Sequence, residues 1–78
     1  MTVDIITPET SLFSGEAKSI VLPGIDGELG VLDKHAPLIT SLKAGDVRIT
    51  EANGNKQNIA VKGGTVEVIN NTVTILAE

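Results

Sequence analysis

The chain has 78 residues, no cysteine, one aromatic residue and ten acidic against six basic side chains. This length corresponds to one domain (residues 1–78) with a modest core, and the absence of thiols excludes a disulfide framework and a thiolate zinc site. The single aromatic ring and the net charge of −4 argue against nucleic acid as a partner, because strand binding relies on stacking rings and basic grooves.

No segment of the sequence has the features of a membrane span or a secretory signal. The longest run without a charge, Val68–Ala77, is about half as long as a transmembrane helix. The first residues, MTVDIITP, lack a basic segment followed by an apolar one. We therefore expect a soluble, unexported protein. Valine, isoleucine and threonine dominate the sequence and suit pleated sheets, so the composition predicts an all-β domain.

Apolar runs bounded by turn residues predict short strands in the first two thirds of the chain. In chain order these strands are residues 2–6, 16–22, 28–32, 38–42 and 47–51. A break at Gly15 is expected before the second strand, which carries apolar residues on both faces. A polar loop, Asp33–His35, follows the third strand, and a turn around Gly45 (residues 43–46) follows the fourth.

Two hairpins are predicted in the last third, because in each a two-residue turn places the apolar residues of both strands on one face. With Asn70-Asn71 as the turn, Val68 faces Val73. With Gly63-Gly64 as the turn, the flanking strands pair in the same way. Loop length and apolar pattern therefore agree at both places.

The loop at Asn53-Gly54 must have an odd length, because a two-residue turn would place the apolar residues of its strands on opposite faces. Three residues, with Gly54 in a left-handed conformation, pair Val47 with Ile59 and form a glycine bulge. Residues 47–77 are then a four-stranded antiparallel meander whose apolar face the earlier strands cover. The sequence predicts a small flattened β-sandwich or barrel of about eight to ten short, mostly antiparallel strands.

No catalytic motif is present. The glycines at positions 24, 27 and 30 recur every third residue, which is neither the dinucleotide fingerprint nor a phosphate-cradling loop. His35 has no serine or cysteine at a diagnostic spacing, and we expect it to bond to the loop backbone and hold its shape. The residues predict a binding or structural protein without catalytic residues or a cofactor.

Four potential metal ligands lie close together in the sequence: Asp26, Glu28, Asp33 and His35. Calcium requires six or more oxygen ligands, and zinc prefers more nitrogen or sulfur than one histidine offers, so we expect solvated carboxylates and no metal. The alternative is a stand-alone β-sandwich that uses the Asp26–His35 loop to bind a metal or small ligand.

The run GELGVL, continued by HAPLITSLKAGDVRI, resembles the N-terminal domain of the epsilon subunit of F-type ATP synthase, which corresponds to the delta subunit in mitochondria. The positions of this run that match the family pattern are Gly27, Glu28, Gly30, His35, Ala36, Pro37, Leu38, Thr40, Leu42, Gly45 and Ile49. Further matches lie at Phe13-Ser14-Gly15, Gly63-Gly64, Val66-Glu67-Val68 and Val73–Ala77. The resemblance covers the whole chain.

This resemblance implies a non-catalytic sandwich on the central stalk that binds the gamma subunit and the polar loops of the c-ring, and so couples proton-driven rotation to ATP synthesis. It implies a peripheral position at the cytoplasmic face of the bacterial inner membrane, without membrane insertion. The residues expected on the c-ring side are Glu28, Leu29, Gly30 and His35. The residues expected to shape the loops are Gly24, Gly27, Pro37 and Gly45.

The sequence departs from the family pattern in two respects. The family commonly continues into a helical hairpin that inhibits ATP hydrolysis and in some members binds ATP; this sequence ends at Glu78, so neither property is carried over. Asp33 and Ala44 stand where many members have proline. Both are expected to loosen their turns slightly.

Overall fold

The computed structural model describes residues 1–78, which form eight strands. In chain order they are β1 (Thr2–Ile6), β2 (Ser11–Gly24), β3 (Gly27–Leu32), β4 (Leu38–Leu42), β5 (Gly45–Glu51), β6 (Lys56–Val61), β7 (Gly64–Ile69) and β8 (Thr72–Ala77). Hydrogen-bonded neighbours follow the order β1-β8-β7-β4-β2-β5-β6, with β2 also pairing β3 and β1. Only β1 and β8 run parallel. The all-β, mostly antiparallel sandwich is confirmed, and no helix that could span a bilayer is present.

The sheet folds back on itself around one aliphatic core. Strand β2 pairs with β1 along its first half and meets β4 near its end through one pair, Gly24 with Leu42. Sixteen buried apolar residues fill the space between the two layers, and no polar or charged side chain is buried. The largest fully buried side chains are Ile5, Ile20, Leu22, Ile49 and Ile75. Burial of aliphatic surface is therefore what holds the layers together.

Strand β2 is longer than the sequence predicts. It runs unbroken for fourteen residues, and Gly15 lies within it, opposite Val3 of β1. The expected break at Gly15 is wrong because β1 supplies a paired neighbour along this part of β2. A glycine in a strand weakens it, but it does not end a strand whose backbone groups are bonded.

A bulge in β2 brings both Ala17 and Ile20 to the core. The pairing with β5 shifts register between Ala17 and Ser19, so Lys18 is an extra residue. Ala17 and Ile20 are an odd number of positions apart, yet both are buried. The alternation of the core face therefore changes phase at the bulge, and beyond it the half-buried Val21 lies on the face opposite Ile20.

Two of the predicted turns are confirmed. Asn70 and Asn71 have φ angles of 51° and 59°, as a two-residue hairpin turn requires, and β7 pairs with β8 in the predicted register. Gly54, with φ of 93°, ends a three-residue loop, and Val47 pairs with Ile59. Both turns follow from the local chemistry of asparagine and glycine.

The predicted meander over residues 47–77 is wrong at Gly63-Gly64. Strand β6 pairs only with β5, whereas β7 pairs with β4 and β8. The two glycines have φ of 143° and 138°, far from the roughly 60° of a two-residue hairpin turn, and they lead the chain from one layer to the other. Val61 and Val66 remain buried from opposite layers, so the apolar pattern did not distinguish the two arrangements.

A set of contacts that we call the Asp33 clasp (Met1, Asp33, Lys34 and Asn71) fastens the β3–β4 loop. The α-ammonium of Met1 donates to Asp33 Oδ1 at 2.6 Å and to the Ala17 carbonyl at 3.0 Å. The Asn71 amide nitrogen lies 3.4 Å from the same Oδ1, and its oxygen accepts the Lys34 N–H at 2.7 Å. The sequence predicts that Asp33, in place of a proline, loosens this turn, but it does not reveal these hydrogen bonds.

The clasp lowers the pKa of Asp33. The main cause is the hydrogen bond from the Met1 ammonium. Desolvation opposes it, and the ammonium charge, the Asn71 amide and the Lys34 charge add to the lowering of this pKa. Glu16 is the other titratable group nearby, with Oε1 3.9 Å from the ammonium. The ionised carboxylate is thus the form that the folded chain favours.

Replacing Gly64 by alanine should destabilise the fold by at least about 3 kcal/mol, because the position combines a strained φ with a collision. A Cβ there would lie 2.1 Å from the Leu76 carbonyl oxygen. Gly30→Ala is the matched control, since nothing lies within 4 Å of its Cβ position. Urea unfolding of both variants provides the measurement. A Gly64→Ala chain as stable as Gly30→Ala would contradict this account of the crossover.

Asp33→Asn should lower stability in a pH-dependent way. Because the folded pKa of Asp33 is depressed, its stabilisation is fully present above the unfolded value of about 4 and is lost as pH falls through the folded value. The difference in unfolding free energy between parent and variant should therefore be constant from pH 7 to about pH 5 and shrink below about pH 4. Asp46→Asn, at an exposed residue, is the control. A difference that does not change with pH rules out the ion pair as its source.

Candidate functional site

The β2–β3 turn is shaped by two glycines. Gly24 and Gly27 form the last pair of the ladder, with Ile25 and Asp26 exposed at the tip. A Cβ on Gly24 would lie 2.6 Å from the Gly27 carbonyl oxygen, and Gly27 has φ of 132°. The backbone of this turn therefore has no room for a side chain at the first position and disfavours one at the second.

The β4–β5 turn packs against the base of the β2–β3 turn. The Lys43 N–H donates to the Pro23 carbonyl at 2.9 Å, and the Ile25 N–H to the Ser41 carbonyl at 3.0 Å. Gly45 is already the first residue of β5, so the turn is shorter than predicted. A Cβ on Gly45 would lie 2.9 Å from the Pro23 Cβ. The β2–β3 turn thus rests on closely packed residues of the β4–β5 turn.

Strand β3 presents an outward strip along the sandwich that carries one charged and one large apolar side chain. It pairs with β2 alone, so its other edge is open. Glu28, Gly30 and Leu32 are exposed, while Leu29 is half-buried against the core and Val31 is buried. Leu29 therefore helps to anchor the strand, and the outward residues are those available to a partner.

Glu28 has a partner within the chain that the sequence did not reveal. Its Oε2 accepts a hydrogen bond from Arg48 Nη2 at 2.5 Å, across β2 from β5. Glu28 is 72% exposed and Arg48 49%, so the pair contributes at most about 1 kcal/mol. The only sequence signal was the position of Arg48 between two apolar residues, Val47 and Ile49, which predicts an outward side chain.

His35 lies beyond the other end of β3. Its Nδ1 is 2.7 Å from the Ala36 carbonyl oxygen, and its N–H donates to the Leu32 carbonyl at 3.2 Å, so it bonds to loop backbone as predicted. The five-residue step from Glu28 to Asp33 spans about 17 Å of extended chain. Three of the predicted contact residues, Glu28 to Gly30, are thus consecutive in β3, and His35 lies apart from them in the loop that follows. Pro37 is exposed just before β4.

The potential metal ligands do not converge. Glu28 pairs with an arginine, Asp33 with the α-ammonium, and His35 with a backbone carbonyl, while Asp26 is exposed at the turn. No group of three or more His, Cys, Asp or Glu side chains could hold a metal ion. The four residues therefore do not form one cluster.

A second exposed surface, the apolar outer face, lies on the layer formed by β1, β8, β7 and β4. Its large apolar members are Ile6, Ile39, Ile69 and Leu76, and the exposed Glu67 lies directly opposite Ile39. Ile6 is directly opposite Leu76, and Ile39 is 74% exposed, the highest value among the large hydrophobic residues. Sequence analysis did not identify this face, although Leu38 and Ile39 are consecutive in a strand and must point to opposite sides.

Comparison with known proteins agrees with the resemblance seen in the sequence. Residues 1–78 match the family described as ATP synthase, Delta/Epsilon chain, beta-sandwich domain. The chain is 49% identical over 76 residues to the ATP synthase epsilon chain of Delftia acidovorans and 46% identical over 78 residues to that of Bordetella petrii. These matches cover 97% and 100% of this chain and 55% of each relative. The chain thus spans about half the length of these relatives.

Two solved structures share the fold. One is a chain of the Euglena gracilis mitochondrial ATP synthase, OSCP/F1/c-ring, with a TM-score of 0.89 and 22% identity over 96% of this chain and 48% of that chain. The other is from the Tetrahymena thermophila mitochondrial ATP synthase central stalk and c-ring, with a TM-score of 0.79 and 24% identity over 99% and 62%. These structures support the fold alone. The family match over all residues establishes that the chain belongs to the ATP synthase delta/epsilon chain family, as its β-sandwich domain.

Proposed function

We propose that the chain is a non-catalytic rotor subunit in the central stalk of an F-type ATP synthase. It binds the gamma subunit and the polar loops of the c-ring, so that proton-driven rotation reaches the catalytic head without slipping. It does so at the cytoplasmic face of the bacterial inner membrane, held there through the complex. The family match over residues 1–78 carries this proposal, and two separate exposed surfaces on one closely packed frame support it.

The apolar outer face is the proposed contact with the gamma subunit. Four large aliphatic side chains exposed on one layer favour association with another protein, since the core of an interface is apolar. The c-ring loops are polar and suit the Glu28–Arg48 pair at the outward strip of β3 better. The apolar face is therefore assigned to gamma.

The outward strip of β3 is the proposed contact with the c-ring. It runs from Glu28 through Gly30 and Leu32 to His35, where the missing side chain of Gly30 leaves space for a close approach. Arg48 donates a hydrogen bond to Oε2 of Glu28. Oε1 is left to accept a hydrogen bond from a basic or amide group of a ring loop. An incoming cation competes with Arg48 for this carboxylate.

Ile39→Lys should weaken binding of purified gamma at least about tenfold, because it places an ammonium within an apolar contact. Ala60→Lys is the matched control: Ala60 is exposed in β6 opposite Asp46, as Ile39 is opposite Glu67. Size-exclusion chromatography and calorimetry measure complex formation. If the parent chain does not co-elute with gamma at micromolar concentration, the proposed function fails. Equal losses in the two variants would instead show that gamma does not bind this face.

Glu28→Gln should weaken ring docking by about fivefold, the effect of losing about 1 kcal/mol of charge-assisted bonding. Arg48→Gln should strengthen docking, because it frees the carboxylate. Both sites are largely exposed, so unfolding free energies should change by less than about 1 kcal/mol. ATP-driven proton pumping by a reconstituted complex, titrated with each variant, reports docking. Identical titrations for the parent and both variants would remove Glu28 from the contact.

A further inference from the structure

The β3–β4 loop contains a residue in a conformation that side chains rarely adopt. Lys34 has φ of 64°, in the left-handed region, where a residue other than glycine persists only when its surroundings fix it. The surroundings here are the Asp33 clasp, since the Lys34 N–H donates to Asn71 Oδ1 at 2.7 Å. Asn71 itself is fixed by the β7–β8 turn, and its carbonyl accepts the Thr2 N–H at 3.1 Å.

We propose that Asn71, Asp33 and the α-ammonium of Met1 are positioning groups that fix the β3–β4 loop and so place His35. In the chain that begins at Met1, the amine is part of this device, and acylating it or adding residues ahead of it opens the clasp. The proposal about the loop conformation concerns the chain alone and can be tested without a binding partner. Only the consequence for ring binding rests on the proposed function.

The chemistry of the amine explains why modification would open the clasp. An α-ammonium has three N–H donors and a positive charge, and it contacts the Ala17 carbonyl and Asp33 Oδ1 at once. An acylated nitrogen is neutral and has one N–H, so it cannot serve both acceptors or pair with the carboxylate. Met1 is also buried, as is the hydrogen bond from its nitrogen to the Ala17 carbonyl.

The two side chains of the clasp that form hydrogen bonds, Asp33 and Asn71, connect the loop to different parts of the fold. Asp33 joins the loop to the start of β1, and Asn71 joins it to the β7–β8 turn. The loop is thereby fastened to β1 and to the β7–β8 turn. His35 follows Lys34 directly, so the angle at which its ring stands depends on the φ that the clasp imposes on Lys34.

Asn71→Gly is the direct test of the side-chain contact. Glycine accepts φ of 59° and keeps the turn, while the amide that holds Lys34 is lost. Asn70→Gly is the matched control, because Asn70 has φ of 51° and only its backbone carbonyl makes a contact, with Thr72. Amide hydrogen exchange by NMR should show the Lys34 amide exchanging about tenfold faster in Asn71→Gly only, relative to a core amide such as that of Val66.

The role of the amine is tested with the 78-residue chain made by peptide ligation with a free or an acetylated α-amine. Acetylation should speed Lys34 exchange severalfold and shift the His35 ring signals, with Val66 exchange changing less. If acetylation leaves Lys34 and His35 unchanged, the amine has no part in the clasp. If Asn71→Gly behaves as Asn70→Gly does, the whole inference is overturned. A loop that responds while ring docking does not would support this inference and count against the proposed His35 contact.

Discussion

The sandwich depends on one long strand, β2, which takes part in both layers and faces the shared core along its length. Strand β2 pairs with β1, β3, β4 and β5, and the bulge at Lys18 keeps both halves facing the same core. In a regular strand, residues three positions apart, such as Ala17 and Ile20, point to opposite sides. Because the core is entirely aliphatic and has no disulfide to reinforce it, this match between register and burial is what the fold relies on.

The sequence predicted those parts of the fold that local chemistry determines. Asn70-Asn71 and Gly54 adopt positive φ readily, and each turn fixes the register of its own hairpin. Gly63-Gly64 gave the same local signal but a different outcome, because β4 takes the edge of β7 that β6 was expected to occupy. That competition involves strands far apart in sequence, and the apolar pattern fits both arrangements.

In the candidate site, too, the sequence predicted the features that depend on local pattern and missed those that depend on long-range strand pairing. Alternation along β3 predicted an exposed Glu28, and the position before Ala36-Pro37 predicted a His35 bonded to backbone. The Arg48 partner of Glu28 lies across an intervening strand, so it becomes visible only when the strand order is known. The clasp around Asp33 likewise joins residues more than thirty positions apart. The family resemblance gave the identity of the domain but not these internal partners.

The central claim is that two surfaces of one closely packed sandwich contact two different parts of a rotor. The structure of the assembled ATP synthase containing this chain, determined by electron cryo-microscopy, tests that claim most directly. The account predicts Ile39 and Leu76 buried against the gamma subunit, with Glu28 within hydrogen-bond distance of a c-ring loop. A chain bound to the catalytic head alone, with the apolar outer face open to solvent, would contradict it.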